Sequence, residues 1–327
     1  MKKKVLYLLI SALSISALPS FVLAADDDAT PETPTSSKGE YVKPTPQQTR
    51  IKGLILRLQP NYSHEIETID DGTEDFLGLF NESGTGDPQG CVLFLHEDHA
   101  HPDWPQVISP LRRNLPSHSW CTLSIEVPDI AGRATPTTVP SNDSDSDSDN
   151  SSPTPPTDGG VTLTNEQKVF DRIDAALALI REKGYQNAAY LGHRSGAAYA
   201  LKYVADRGIA GQALILVDIK TVPPASEYQL SQSIESLRIP VLDYYFDRLP
   251  SDHRFAQWRQ QASNKRRNSS DAFVQIDALP DARFGNSADK RLEQRVWGFL
   301  KQNTTQSSQN KELPEFKKGL FYKSPVE

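Results

Sequence analysis

The stretch that most constrains the fold is Ala188-Ala189-Tyr190-Leu191-Gly192-His193-Arg194-Ser195-Gly196-Ala197-Ala198-Tyr199, an apolar run that breaks at a pair of glycines and resumes with small residues. It reads as a strand, a sharp turn and a helix. Small residues on both sides of such a turn let the helix pack closely on the strand, and one side chain is thrust out at the end of a sheet. Gly192 and Gly196 bracket His193, Arg194 and Ser195, so the outward position falls to Arg194 and the serine comes one place late.

From residue 91 onward the chain alternates short apolar runs with amphipathic stretches. Cys91 to Leu95 is an uninterrupted apolar run of strand length, and Trp104 to Leu115 carries Val107, Ile108 and Leu111 on one helical face. Trp120 to Val127 reads as the next strand, ended by Pro128. Thr164 and Gln167 read as a capping-box pair, opening a helix with Phe170, Ile173, Leu177 and Ile180 on one face and Gly184 as its stop. After the turn come a helix to Asp206 closed by Gly208, a strand over Ala213 to Ile219, and a helix over Tyr228 to Leu237. A strand (Pro240 to Phe246), a helix (Arg254 to Arg267), a strand (Ala272 to Leu279) and a last helix (Ala288 to Leu300) follow. Near the other end, Ile66 to Ile69 and Phe76 to Phe80 flank Asp70-Asp71-Gly72, the pattern of an antiparallel hairpin. Such alternation predicts an α/β chain with a mostly parallel central sheet, helices on both faces and an antiparallel N-terminal hairpin, which is the outline of an α/β-hydrolase fold.

The ends and one interior segment are of different material. Met1 to Ala24 has a basic start, an apolar centre and a small-residue close, and reads as a secretory signal peptide. Residues 25–48 are too polar to pack and read as a disordered leader; residues 49–302 form one domain, and 303–327 a flexible tail. Residues 134–160, with aspartates and serines alternating from Ser141 to Asp149, read as a disordered insertion in that domain. The alternation is a poor calcium loop, because Ser148 stands where the turn glycine belongs. The expected product is periplasmic or secreted, with no transmembrane segment after signal removal. Loss of Lys2, Lys3 and Lys4 with the signal takes the formal net charge from −7 to −10, which argues against nucleic acid as a partner. Cys91 and Cys121 are the only cysteines; each starts a predicted strand, and they either pair as a disulfide or sit as two small buried hydrophobes.

Cys91-Val92-Leu93-Phe94-Leu95-His96, then His101-Pro102-Asp103-Trp104-Pro105, Leu111-Arg112-Arg113 and Trp120-Cys121-Thr122-Leu123-Ser124 together resemble a family of uncharacterised, exported proteobacterial α/β-hydrolase-like proteins, a domain of unknown function within that superfamily. The likeness runs from about Arg50 to Gln302 and is supported by Val296-Trp297-Gly298-Phe299-Leu300. It implies a fold and an export route and supplies no reaction.

Catalysis in this fold needs a nucleophile at the turn, then an acid, then a histidine after the last strand. The nucleophile position holds Arg194, a permanent cation. Asp247 or Asp252 suits the acid, but Pro280-Asp281-Ala282-Arg283-Phe284-Gly285 contains no histidine, and His253 is the last one in the chain. The glycine that frees a backbone N–H for an oxyanion is replaced by Glu97 and Asp98 after His96. Whether the chain is an enzyme therefore stays open, and a degenerate pseudo-hydrolase serving as a binding or interaction module is the favoured expectation. Its cleft would centre on Arg194, facing His96, Glu97, Asp98 and Asp247, and take a small-molecule or protein ligand of unspecified identity. One alternative is an ester or peptide hydrolase using Ser195, with His193 as base and Asp247 as acid. Another is a metal-dependent hydrolase on the His96 to Asp103 loop, with His96, His99, His101 and Asp103 as ligands. The competing reading of that loop is that His101 and Asp103 fix it by hydrogen bonds while Trp104 packs the following helix. Lys265-Arg266-Arg267 reads as a solvated cap at a helix end. No motif implies a cofactor.

Overall fold

The computed structural model describes residues 46–130, 161–208, 211–266, 272–278 and 286–310. The expected signal peptide, nearly all of the expected leader, the expected 134–160 insertion with its Asp-Ser repeat and the chain after 310 lie outside the described residues, as do Arg267 and the loop that follows the last strand.

The strands are β1 (Ile66–Asp70), β2 (Asp75–Asn81), β3 (Gly90–Leu95), β4 (Trp120–Ile125), β5 (Ala188–His193), β6 (Ala213–Val217), β7 (Val241–Tyr245) and β8 (Phe273–Asp277). They make one sheet in the order β1-β2-β4-β3-β5-β6-β7-β8. β1 and β2 form the expected hairpin, β2 runs antiparallel to β4, and every pair from β4 to β8 is parallel. The helices are α1 (Pro46–Tyr62), α2 (Ile108–Asn114), α3 (Glu166–Glu182), α4 (Ser195–Arg207), α5 (Glu227–Gln232), α6 (Pro250–Asn264) and α7 (Asn286–Asn303).

The apolar runs explain the layering. β3, β4 and β6 are buried along their whole length, as strands covered on both faces must be. Leu93, Tyr190 and Leu214 point to one face, where Phe170, Ile173 and Leu177 of α3, Leu201 and Val204 of α4 and Phe255 of α6 cover them. Val92, Phe94, Leu191 and Ile215 point to the other, under Ile108 and Leu111 of α2 and Val296 and Leu300 of α7. A third cluster joins Ile51, Leu54 and Leu58 of α1 to Leu77 and Leu79 of β2. Cys91 and Cys121 are register partners on neighbouring parallel strands, with Cα atoms 4.3 Å apart, and they are bonded as a disulfide.

Several local expectations are corrected. The helix α1 starts at Pro46, within the stretch assigned to the leader, and runs to Tyr62, an element the sequence analysis did not foresee. The first third of the expected Trp104 to Leu115 helix is a series of turns, because Val107 takes a φ of 65° and α2 starts only after it. The Thr164/Gln167 capping box is not formed: the Glu166 carboxylate accepts the Leu163 N–H, and the Thr164 hydroxyl donates to the Pro223 carbonyl. Beyond residue 302 the chain packs on as a short 3-10 segment, Thr305–Asn310, in which Gln306 accepts the Trp120 indole N–H at 2.9 Å.

Candidate functional site

Arg194 sits between β5 and α4 with φ 51° and ψ −114°, a conformation that non-glycine residues adopt rarely and that aims its side chain out of the end of the sheet. The turn is locked by its own backbone. The Arg194 N–H donates to the Val217 carbonyl at 3.0 Å, and its carbonyl accepts from Ala197 at 3.0 Å and from Lys220 at 3.2 Å. The bracketing glycines serve close approach. A Cβ at Gly192 would lie 2.3 Å from the Ala197 Cα, and one at Gly196 would lie 2.2 Å from the Leu95 carbonyl oxygen. The sharp turn is therefore the nucleophile-elbow geometry, carrying a guanidinium where the nucleophile belongs.

The guanidinium is flanked by two carboxylates. Arg194 Nη1 lies 3.3 Å from Glu97 Oε2, and Arg194 Nε donates to Asp218 Oδ2 at 3.2 Å. Asp218 follows directly on β6 with a φ of 49°, and its carboxylate is buried. It also receives Arg248 Nη1 at 3.3 Å on the same oxygen, with Lys220 Nζ 3.9 Å from the other. Burial raises the Glu97 carboxyl above its ordinary value, with the Arg194 charge working against that rise. Asp98 and Asp247, expected to face Arg194, do not. Asp98 accepts the N–H groups of His99 and Ile130 on its carboxylate, and Asp247 pairs with His253 at 3.1 Å. Asp218 and Arg248 were missed in the sequence; the signal that would have found Asp218 is an acid closing an otherwise wholly apolar strand.

Ser195 is the first residue of α4, and its Oγ accepts the backbone N–H of Asp98 at 2.7 Å, tying the helix to the loop after β3. His193 is buried; its Nδ1 has no hydrogen-bond partner and stands 3.9 Å from Glu97 Oε1. Burial, reinforced by the Arg194 charge, pushes the His193 imidazole down to about 3. In the acid position, Asp252 takes Lys220 at 2.8 Å, while the imidazole of His253, already on Asp247, also meets the Gln257 amide at 2.9 Å.

The histidine-rich loop is divided between separate tasks. His96 Nε2 accepts the Val127 N–H at 3.0 Å, so its proton is on Nδ1, which donates to the Glu97 carbonyl at 2.7 Å. Both nitrogens are committed to backbone, and burial drives the imidazole down to about 3. His101 Nδ1 accepts the Asp103 N–H at 3.2 Å, and Trp104 packs edge-on to the His101 ring. Asp103 is the hub of an ion-pair network. It receives Arg112 at 2.9 Å, Arg113 at 3.1 Å and Arg57 at 3.3 Å, and the fully buried Arg112 continues to Glu65 at 2.6 Å. Burial alone would raise the Asp103 carboxyl, but the Arg112 hydrogen bond and charge outweigh it and hold the group below its ordinary value. The most specific string of the loop thus joins α1, α2 and the end of β3. The ligand types that do converge are Asp98, His99 and Asp129, whose donor atoms lie within 4.8 Å of one another, with Arg50 already on Asp129 at 2.5 Å.

Two further features are separate from the elbow. A groove of about 410 Å³ between α1 and the first hairpin is lined by Ile51, Ile55, Ile66 and Leu77 with Lys52 and Lys168, and no elbow residue borders it. Arg266, expected in a solvated cap, is buried, and it donates to the carbonyls of Leu237 and Ile239 at 3.2 and 2.6 Å. No helix among the described residues is long and apolar enough to cross a membrane.

The fold is similar to that of a protein described as a dienelactone hydrolase from Klebsiella pneumoniae, with a TM-score of 0.51 and 16% identity over 72% of this chain and 97% of that one. A dienelactone hydrolase from Anabaena variabilis gives a TM-score of 0.48 and 14% identity over 74% and 100% of the two chains. An esterase from Pyrococcus furiosus gives 0.47 and 13% over 72% and 91%. At these identities the likeness is one of fold, and no curated protein matches the chain. Residues 6–302 match the family model described as a protein of unknown function, DUF3530, and the chain belongs to that family.

Proposed function

We propose that this protein is an exported, catalytically degenerate α/β-hydrolase-fold protein that works as a binding or interaction module, with its cleft centred on Arg194. The observation that carries the reading is the elbow itself: its outward position is built as in a hydrolase and holds a cation with no nucleophilic atom. The neighbouring groups agree. The Ser195 oxygen already accepts a backbone N–H, His193 is held neutral by burial, and the imidazole at the acid position is bonded on both sides. Export rests on the N-terminal 24 residues and on a disulfide, a bond that persists in oxidising compartments.

The test is reaction of the purified mature chain with a fluorophosphonate probe and with aryl esters, with and without a chelator. The expected result is no labelling and no turnover above buffer. Labelling at Ser195, or chelator-sensitive turnover lost in Asp98→Asn or His99→Ala, would overturn the reading in favour of serine or metal-dependent hydrolysis.

A further inference from the structure

Asp218 lies at the base of the site with its carboxylate 4% exposed, while the Arg194, Arg248 and Lys220 side chains that converge on it are 39%, 42% and 40% exposed. The negative charge is at the bottom and three cations rise from it toward solvent. Arg194 Nε and Arg248 Nη1 reach the same oxygen, Asp218 Oδ2, at 3.2 and 3.3 Å, which brings the two guanidinium groups side by side. Arg248 is further held over the Phe246 ring, 4.4 Å from its centre. One carboxylate cannot use the donors of two guanidinium forks, and planar forks favour carboxylate and phosphate oxygens.

Glu97 is the member of the set that stands between two partners. Its Oε2 meets Arg194 at 3.3 Å, while its Oε1 stands 3.9 Å from the orphaned Nδ1 of the buried His193. A small swing of this side chain would release Arg194 and give the His193 nitrogen the partner it lacks. Leaving a buried polar atom unsatisfied is costly, so that second position offsets part of the loss of the Arg194 contact.

We propose that Arg194 and Arg248 form an oxyanion site that takes the carboxylate or phosphate group of a ligand by exchange with Glu97, which moves onto His193. This rests on the reading of the elbow as a binding centre. Lys220, held by Asp252 at 2.8 Å, adds charge at the rim of the site.

The test is calorimetric titration of the mature chain at low ionic strength with inorganic phosphate and, separately, with benzoate, so that the two sources of an oxyanion are told apart. At least one should bind saturably; Arg194→Gln and Arg248→Gln should each weaken it about tenfold or more, the loss of a charge-assisted bidentate contact. Glu97→Gln should act in the opposite direction and tighten it severalfold, because the internal competitor has lost its charge. Circular dichroism of each variant confirms folding, and Glu97→Gln keeps the test decisive if Arg194→Gln fails to fold. Absence of saturable binding in both the parent and Glu97→Gln, or binding indifferent to Arg248→Gln, overturns the proposal. Fluorophosphonate labelling in the same samples reports separately on the hydrolytically silent elbow.

Discussion

The hydroxyl of Ser195 accepts the backbone N–H of Asp98 at 2.7 Å, across 97 residues of sequence. A serine one place past an elbow is thereby a structural tie between α4 and the loop after β3. Ser195→Ala is expected to leave the Asp98 N–H without a partner in a part-buried setting, at a cost of about 1–3 kcal/mol. The check is a denaturant titration beside an ester assay: stability should fall while turnover stays at the buffer level in both proteins. A variant of unchanged stability that had lost measurable esterase activity would contradict this assignment.

Two histidines make the fold acid-sensitive. His96 and His193 each titrate near 3 in the folded chain because burial disfavours the imidazolium, against an ordinary value of 6.5. For His96 the geometry adds a second reason, since a proton on Nε2 would confront the Val127 N–H it now accepts. Well above pH 6.5 neither state takes a proton and the stability contribution is complete. Below it the unfolded chain binds protons that the folded chain does not, so stability falls by about 1.4 kcal/mol per pH unit for each histidine, as long as the folded imidazole stays neutral. Urea midpoints between pH 7 and pH 5.5 should drop accordingly, with His101, also lowered by burial, adding to the fall, and His193→Gln should reduce the slope. Equal slopes for the two proteins over that window would show that His193 is not held neutral.

Arg112 is fully buried between Glu65 at 2.6 Å and Asp103 at 2.9 Å, and Asp103 also collects Arg113 and Arg57. Removing the guanidinium leaves two buried carboxylates facing each other without their shared cation. Arg112→Ala is expected to destabilise by about 3–5 kcal/mol, the range for breaking a buried pair on one side. Replacing the set together, with Arg112→Met, Glu65→Gln and Asp103→Asn, should recover much of that loss because no fully buried charge remains, and the Arg57 and Arg113 side chains released from Asp103 reach solvent. The comparison is made by thermal unfolding, and a triple variant no more stable than Arg112→Ala would argue that packing of the arginine stem dominates.

The elements easiest to read were those buried on both faces. β3 and β6 announce themselves as short apolar runs because neither face meets water, and α3 does so through Phe170, Ile173, Leu177 and Ile180 on one stripe. α1 escaped because Pro46, Pro60 and a run of polar residues mask its narrow stripe; Ile51, Leu54 and Leu58 are nonetheless spaced for one face, and they are its buried residues. The elbow was legible from its glycines, and with it the cation it presents. Its partners were not, because Asp218 and Arg248 come from the ends of later strands and sequence spacing does not say which charged side chains return to one point. The histidines show both sides: close in sequence, His96, His99 and His101 turn to the Val127 backbone, to Asp98 and Asp129, and to Asp103 respectively, and the last of these is the loop-fixing hydrogen bond that the sequence offered as the competing reading.

Gly196 carries the approach of α4 to the sheet. A Cβ there would stand 2.2 Å from the Leu95 carbonyl oxygen and 2.5 Å from that of His96, and those atoms are backbone of β3 and the residue after it, with no side chain to move aside. The Gly196→Ala chain must therefore shift the helix away from the strand, which opens the packing of Ala197, Ala198 and Tyr199, all fully buried. Expected is a large loss of stability, on the order of 3 kcal/mol or more, with a disturbed Arg194 site, since that residue is the cap of the same helix. Gly298→Ala on α7 is the control: nothing lies within 4 Å of its added Cβ, and alanine favours a helix over glycine by about 1 kcal/mol, so stability should rise or hold. Circular dichroism melts of the two variants side by side decide the matter, and a Gly196→Ala chain melting with the parent would show that the strand–helix contact is looser than 2.2 Å implies.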